Sequence, residues 1–246
     1  MEGKYGISIS VIVPVYNEED LIDSAVRKIH DFLSDAFDDW EIVIVESGST
    51  DRTPELVDSL AGELHSTHVY HQERREGMGS AVRLSYSKCT KELIWKIVPD
   101  LPFALANIHS AMPLFPAHDF VHSYRYPDSS SAGRRIMSWG FNLLATIVVG
   151  VKLRCVNSSF NVFKRSVVQN VEFISNGWFY QAEILAELGR ANLAYTEIPV
   201  AVLPRTAGTS TVSVKTAFGI LREMREYLGK RFRKKRRAVC TNQQAS

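Results

Sequence analysis

ISISVIVPVYNEE (residues 7–19) and EIVIVESGSTDRT (residues 41–53) decide the fold. Each opens with an apolar run of strand length, rich in Ile and Val, and stops abruptly in a polar turn of carboxylates and hydroxyls. Runs of this kind are buried on both faces, as strands of a parallel sheet are, so the pair predicts two neighbouring parallel strands at the start of an α/β sheet. In such a sheet the ligand sits in the crevice outside the carboxyl ends of the strands, where loops diverge and helix N-termini present free N–H groups. Pro14, Tyr16, Asn17 and Glu18 end the first strand, and Glu46, Ser47, Gly48, Ser49 and Asp51 end the second. These residues suit a nucleotide. Tyr16 offers a stacking face, Glu46 and Asp51 accept from base or ribose donors, and Gly48 lets backbone come close. Asn17 and Ser49 also suit plain helix caps, but two such turns on adjoining strands favour a site.

VPVYNEE followed by ESGSTDRT resembles the nucleotide-binding half of the family 2 glycosyltransferases with the GT-A fold, particularly the polyprenyl-phosphate sugar synthases of the dolichol phosphate mannose synthase type. The resemblance implies a mixed, mostly parallel sheet flanked by helices, a nucleotide-sugar donor, a polyprenyl phosphate acceptor and inversion at the sugar. It assigns Pro14, Tyr16, Glu18, Glu46, Gly48, Ser49 and Asp51 to the nucleotide.

Farther along, Glu19 to Phe37 reads as an amphipathic helix with Leu21, Ala25, Ile29 and Leu33 on one face. Pro54 to Leu64 reads as a second helix and His68 to Gln72 as a third strand. REGMGSAVRLSYSKCT (residues 75–90) resembles the family's basic, glycine-containing segment. The resemblance places Gly79 by the nucleotide; close packing of loop on strand accounts for two glycines opening a helix equally well. LIWKIVPD (residues 93–100) is the expected fourth strand. Where the family carries Asp-x-Asp to hold a divalent cation, this chain reads Val98, Pro99, Asp100, and Pro102 stands at the family's Gln. Asp100 is thus the metal ligand implied for Mg2+ or Mn2+, with phosphate oxygens and water completing the shell.

DFVHSYRY (residues 119–126) is the next strand and delivers Arg125 to the crevice. Arg134 and Arg135 open a long helix and match arginines that meet donor and acceptor phosphates in the resembling synthases; the guanidinium fork binds phosphate in a bidentate way and keeps its charge. CVNSSFNVFKRSVV (residues 155–168) resembles the family's Asp-x-x-Ser-Gly-Phe segment, with Cys155 at the Asp, Ser159 at the Gly, and Ser158 kept toward the acceptor phosphate. Gly177 to Leu188 is a helix carrying Glu183 at the family's matching acid, and Tyr195 to Leu203 is a strand. PRTAGTST (residues 204–211) resembles the loop that closes over the diphosphate, keeping Arg205, Gly208 and Ser210 but with Thr211 for the family's Lys. Asp100, Arg125, Arg134 and Arg205 are the implied catalytic set; Arg135, Ser158 and Ser210 are the implied acceptor and phosphate contacts.

The 246 residues, 45% hydrophobic, bound one domain of ordinary core size with an appendage. Residues 1–213 form the expected transferase domain, and residues 214–246 an amphipathic helix and basic tail. Three cysteines without metal spacing fit reduced thiols in a cytoplasmic setting. MEGKYG carries no signal-peptide pattern. The net charge of +2 conceals KRFRKKRR (residues 230–237), without which the chain is net acidic. Phe218, Leu221, Met224 and Leu228 line one face of the helix that runs into this tail, a pattern that fits a peripheral position on the cytoplasmic face of a membrane. No RNA-binding module or aromatic platform accompanies the charge, so no nucleic acid partner is expected. The apolar helix RRIMSWGFNLLATIVVG (residues 134–150) suits core, a homo-oligomer face or lipid. Two alternatives stay open: a chain that binds nucleotide or lipid without transferring sugar, and a transferase with a hydroxyl acceptor.

Overall fold

The structure, a computed structural model, describes residues 3–126, 153–156, 158–203, 219–220 and 222–229. Arg134, Arg135, Arg205, Ser210, the helix expected after Gly133 and the basic tail lie outside the described residues. Seven strands, β1 (Ile9–Val15), β2 (Trp40–Glu46), β3 (Thr67–His71), β4 (Leu93–Lys96), β5 (Phe120–Arg125), β6 (Asn161–Lys164) and β7 (Tyr195–Val200), form one sheet in the order β3-β2-β1-β4-β6-β5-β7. The pairings are parallel except at β6, which runs antiparallel to β4 and β5. The mixed, mostly parallel sheet expected from the sequence is present. Helices α1 (Ile22–Ala36), α2 (Thr53–Glu63), α3 (Met78–Lys88), α4 (Ile108–Ala111), α5 (Arg165–Val168) and α6 (Tyr180–Arg190) accompany the sheet, and residues 219–220 and 222–229 are helical as well.

Two-residue alternation along the strands distributes the apolar runs to both faces. Val11, Val13, Ile42 and Ile44 meet Ile22, Val26, Ile29 and Leu33 of α1 and Val57 and Leu60 of α2. Ile12, Val43 and Ile94 point the other way, into a second cluster with Val82 and Tyr86 of α3 and Ile184 and Leu185 of α6. Every residue of β1 and β2 is buried, and each large aliphatic side chain so enclosed contributes roughly 1.5–3 kcal/mol.

The chain turns from β3 back across β1 to β4, so β1 and β4 flank the switch point. Their ladder ends at Ile12 and Lys96, with one further bond from the Ile97 amide to the Ile12 carbonyl at 3.0 Å. The Val15 carbonyl faces the other way, toward the Ser47 amide of the β2 side at 3.1 Å. Residue 14, in phase with Ile12, therefore faces β4 above the last pairing. Proline has no N–H to offer there, and none is needed. Pro14 sits where β1 and β4 part.

β4 stops at Lys96, earlier than the expected Asp100. The chain turns at once, with the Leu101 amide bonded to the Val98 carbonyl at 3.0 Å and Leu101 at φ +38°. β6 was not anticipated, because four residues following a Ser- and Asn-rich run carry too little periodicity to register. α6 begins at Tyr180, and its approach is capped from a distance: the Glu223 carboxylate accepts from the amides of Gly177 at 2.5 Å and Phe179 at 3.1 Å. Tyr227 is buried against Phe179, and Met224 and Leu228 pack on the second core cluster. These two members of the stripe expected to face lipid thus face the protein's own core.

Gly77 and Gly79 are explained by the same neighbourhood. Gly77 has φ +105°, and a Cβ on it would lie 2.3 Å from the Asn176 carbonyl oxygen. A Cβ on Gly79 would lie 2.1 Å from the Ser175 carbonyl oxygen, and the Gly79 amide already donates to the Asn176 carbonyl at 2.7 Å. The assignment of Gly79 to the nucleotide finds its amide engaged by protein. Gly79→Ala should destabilise the chain by about 1–3 kcal/mol through overpacking against backbone, read as a lower urea midpoint. A variant of unchanged stability that has lost nucleotide affinity would return Gly79 to the ligand.

Candidate active site

The two polar turns named first in the sequence are tied to each other. The Asn17 amide donates to Ser49 Oγ at 3.0 Å, the Thr50 amide to Asn17 Oδ1 at 2.9 Å, and the Glu18 amide to Thr53 Oγ1 at 2.8 Å. In return, Asp51 accepts from the amides of Thr53 at 3.0 Å and Glu19 at 3.3 Å. Asn17 takes φ 53°, a conformation asparagine tolerates better than most residues. Burial raises the Asp51 carboxyl, but the Thr53 and Glu19 hydrogen bonds outweigh it and hold it below the usual carboxylate range. Gly48, at φ +65°, lets the backbone at Arg74 pass where a Cβ would lie 2.7 Å from its Cα. The ends of β1, β2 and β3 are thereby fused into one rim.

Glu46 lies beneath that rim, 2% exposed. Its Oε1 accepts from the Ser49 amide at 2.6 Å and its Oε2 from His71 Nδ1 at 3.0 Å. The other ring nitrogen, Nε2, lies 2.9 Å from Asp58 Oδ1 on α2. Burial pushes the Glu46 carboxyl up, but bonds from Ser49 and His71 carry it below its ordinary value. Burial pulls His71 down, but the carboxylates of Asp58 and Glu46 outweigh that and raise it. His71 therefore bridges two carboxylates, one at each ring nitrogen. Above the rim, the Arg75 guanidinium covers the Tyr16 ring at 4.1 Å from its centroid.

On the other side of β4, the ends of β5 and β7 and the Ser158–Phe160 segment line a shallow pocket that includes Ser123, Arg125, Ser158, Phe103 and Val200. Arg125 is exposed at its edge. Ser158 is buried; its Oγ meets Ser123 Oγ and accepts the Phe160 amide at 3.2 Å. Its carbonyl accepts from Asn161 Nδ2 at 2.8 Å and Gln181 Nε2 at 2.9 Å. Gln181 Oε1 accepts in turn from Lys96 Nζ at 3.2 Å, and the Tyr180 hydroxyl accepts from the same ammonium at 2.7 Å. His122, fully buried beside them, donates from Nε2 to the Cys155 carbonyl; burial holds it at about 4, hence neutral. Glu183, 2% exposed, accepts from the amides of Ile174 at 3.0 Å and Ser175 at 2.9 Å, which makes it an anchor of the loop before α6.

The family model described as glycosyl transferase family 2 matches residues 10–171, which span both halves of this crevice. The chain belongs to that family. Similar proteins include glycosyltransferase AglD of Haloferax volcanii, 27% identical over 208 residues covering 79% of this chain and 33% of AglD. Another is the undecaprenyl-phosphate mannosyltransferase of Micrococcus luteus, 22% identical over 219 residues, 83% of this chain and 87% of that protein. An undecaprenyl-phosphate 4-deoxy-4-formamido-L-arabinose transferase of Pseudomonas fluorescens is 26% identical over 211 residues, 83% of this chain and 60% of its length. The chain thus spans less than two thirds of two of these three relatives. Among solved structures, mannosyl-3-phosphoglycerate synthase from Rubrobacter xylanophilus superposes with TM-score 0.68 at 16% identity, over 92% of this chain and 75% of that one. Glucosyl-3-phosphoglycerate synthase from Mycobacterium tuberculosis in complex with Mn2+, UDP and phosphoglyceric acid gives TM-score 0.63 at 19% identity, over 89% and 79%. These likenesses establish the GT-A type of fold.

In this family 2 chain the residues expected at the nucleotide are brought together: Tyr16, Glu18, Glu46, Gly48, Ser49 and Asp51 share the rim. Arg125 and Ser158 share the pocket beyond β4, and Asp100 stands on the turn between them. Sequence reading missed His71, Arg75 and Lys96. A lysine inside the apolar run LIWKIV was the available signal; His71 and Arg75 had none. The fit to a divalent cation is narrow. Asp100 is the one carboxylate on its turn, Val98 is apolar, and among the described residues no group of three or more His, Cys, Asp or Glu side chains is placed to hold a metal.

The clamp has a pH signature. His71 is raised, so its contribution is complete below the unfolded imidazole value of about 6.5 and is lost as pH rises through its folded value. His71→Ala, which strips a buried carboxylate of a partner, should cost about 1–3 kcal/mol in mildly acidic buffer. Urea unfolding should show the penalty shrinking in alkaline buffer; a pH-independent penalty would mean that His71 acts by packing alone.

Proposed function

We propose that the chain transfers a hexose from a nucleoside diphosphate sugar to a polyprenyl phosphate, with inversion at the anomeric carbon. One observation carries this reading: among the described residues, the pocket beyond β4 offers an arginine, serine hydroxyls and apolar walls but no carboxylate. A hydroxyl acceptor needs a general base beside its oxygen, whereas a phosphate is ionised at neutral pH and needs mainly to be positioned. Relatives named as undecaprenyl-phosphate sugar transferases support the same choice.

In this reading the nucleotide lies on the rim, with its base toward Tyr16 and Glu46 and its ribose toward Asp51. Glu18, Gly48 and Ser49 shape that seat. The diphosphate passes over the end of β4 toward Arg125, joined by Arg134 and Arg205, while Arg135, Ser158 and Ser210 receive the acceptor phosphate. The acceptor oxygen attacks the anomeric carbon from the face opposite the diphosphate, and preorganised cations stabilise the departing charge. Mg2+ or Mn2+, if Asp100 and phosphate oxygens hold it, adds positive charge to the same leaving group. The basic tail places the crevice at an anionic membrane surface on the cytoplasmic side; among the described residues no helix is long and apolar enough to cross a membrane.

The deciding experiment is transfer of label from GDP-mannose, UDP-glucose and related donors onto polyprenyl phosphate and, in parallel, onto hydroxyl acceptors such as phosphoglycerate. Label in the lipid phase supports the proposal, and label on the hydroxyl acceptor alone replaces it. Nucleotide binding without transfer to either would make the chain a binding protein, a reading that Val98, Pro102, Cys155 and Thr211 would then explain. Arg125→Ala should lower kcat by roughly tenfold or more while leaving nucleoside diphosphate affinity within about twofold. Equal loss of both would mean that Arg125 grips the diphosphate as strongly in the ground state as in the transition state, and would remove its proposed role in the departure of the leaving group. Removal of residues 230–246 should preserve folding and abolish sedimentation with anionic vesicles; retained sedimentation would move the membrane contact elsewhere.

A further inference from the structure

Lys96 is the last residue of β4 and is 7% exposed. An ammonium withdrawn from water is costly unless an opposite charge or a full set of acceptors receives it. It carries three donors; among the described residues two acceptors meet it, the Tyr180 hydroxyl and Gln181 Oε1, both neutral. Glu183, one turn along α6 from Tyr180, has its oxygens on the amides of Ile174 and Ser175. No carboxylate of the described residues forms an ion pair with Lys96. The lysine belongs to a polar row across the sheet, since Lys96 pairs with Asn161 and Asn161 with His122. In that row Asn161 and His122 lie side by side, both buried.

The row is one bonded step from the crevice. Gln181 joins Lys96 to the carbonyl of Ser158, which lines the pocket with Arg125. Lys96 also lies two residues before Val98, at the end of the strand that leads into the turn carrying Asp100.

We propose that Lys96 binds phosphate: its ammonium, held by Tyr180 and Gln181 beneath the switch point, is the protein's own cation for the diphosphate of the donor. This rests on the nucleotide-sugar reading of the crevice. A phosphate oxygen supplies the negative charge that the folded chain does not give this lysine, and does so without help from a divalent ion. The side chains that meet it are Tyr180 and Gln181 of α6, and Asp100 follows it by four residues on the next turn.

The test is calorimetric binding in excess chelator, with GDP and UDP against guanosine and uridine, for the full chain and for Lys96→Met. The expected result is diphosphate binding without metal that falls about tenfold or more in Lys96→Met, while nucleoside binding is unchanged. Equal diphosphate affinity in the two proteins overturns the proposal and leaves the nucleotide site standing. Parallel losses for nucleoside and diphosphate also overturn it, as the mark of a merely structural lysine. Failure of the parent chain to bind nucleoside or diphosphate overturns the proposal together with the reading beneath it. Should Lys96→Met not fold, Tyr180→Phe answers instead, because it frees the ammonium while keeping the ring. Tighter diphosphate affinity supports the proposal, and unchanged or weaker affinity overturns it.

Discussion

The parting of β1 from β4 above Ile12 and Lys96 is the constraint on which the rest depends. Two central strands of a parallel sheet ordinarily stay paired, because each unpaired backbone group buried away from water is costly. Here the chain ends the ladder at a proline on one strand and a tight turn on the other, so few groups are left wanting. Everything that follows is geometry. The loops after β1 and β2 fall to one side of the split, the segments after β5 and β7 fall to the other, and a ligand bridging them must cross the end of β4.

The two sides are built by different physics. On the β1–β2 side, short polar side chains and backbone amides satisfy one another across two turns, with the His71 ring fixed between Glu46 and Asp58. That side is rigid before any ligand arrives, and rigidity lowers the entropy lost on binding. On the β5–β7 side, polar groups are buried in a network with unused hydrogen-bonding capacity, above which Arg125 is exposed. A site that must receive a flexible sugar and a second substrate gains from such unused capacity, whereas a site that only grips a nucleotide does not.

The parallel core and the rim were legible in the sequence because both are local. Apolar runs of seven residues announce buried strands, and a carboxylate next to Gly and Ser announces a turn. What was illegible depends on distant pairings. That Asp51 also accepts the amides of Thr53 and Glu19 could not be read from its own turn. That Gly79 lies against the Ser175 carbonyl depends on a segment nearly a hundred residues away. His71 has no motif of its own, and its role exists only because β3 lies beside β2 and α2. β6 was missed because four residues carry almost no period, although it alone reverses the direction of the sheet. Met224 and Leu228 were read as facing outward, since an amphipathic stripe does not say whether protein or lipid covers it.

Glu223 gives the fold a temporal order. The amides before α6 are capped by a carboxylate more than forty residues later in the chain, an interaction of the kind worth about 1 kcal/mol at a helix start. During synthesis the first sheet strands and the rim can assemble while the ribosome is still at work. The floor that α6 provides under the second half of the crevice cannot be capped until Glu223 has emerged. The nascent chain therefore completes its rim well before this floor, and the segment around Glu223 is what locks the floor in place.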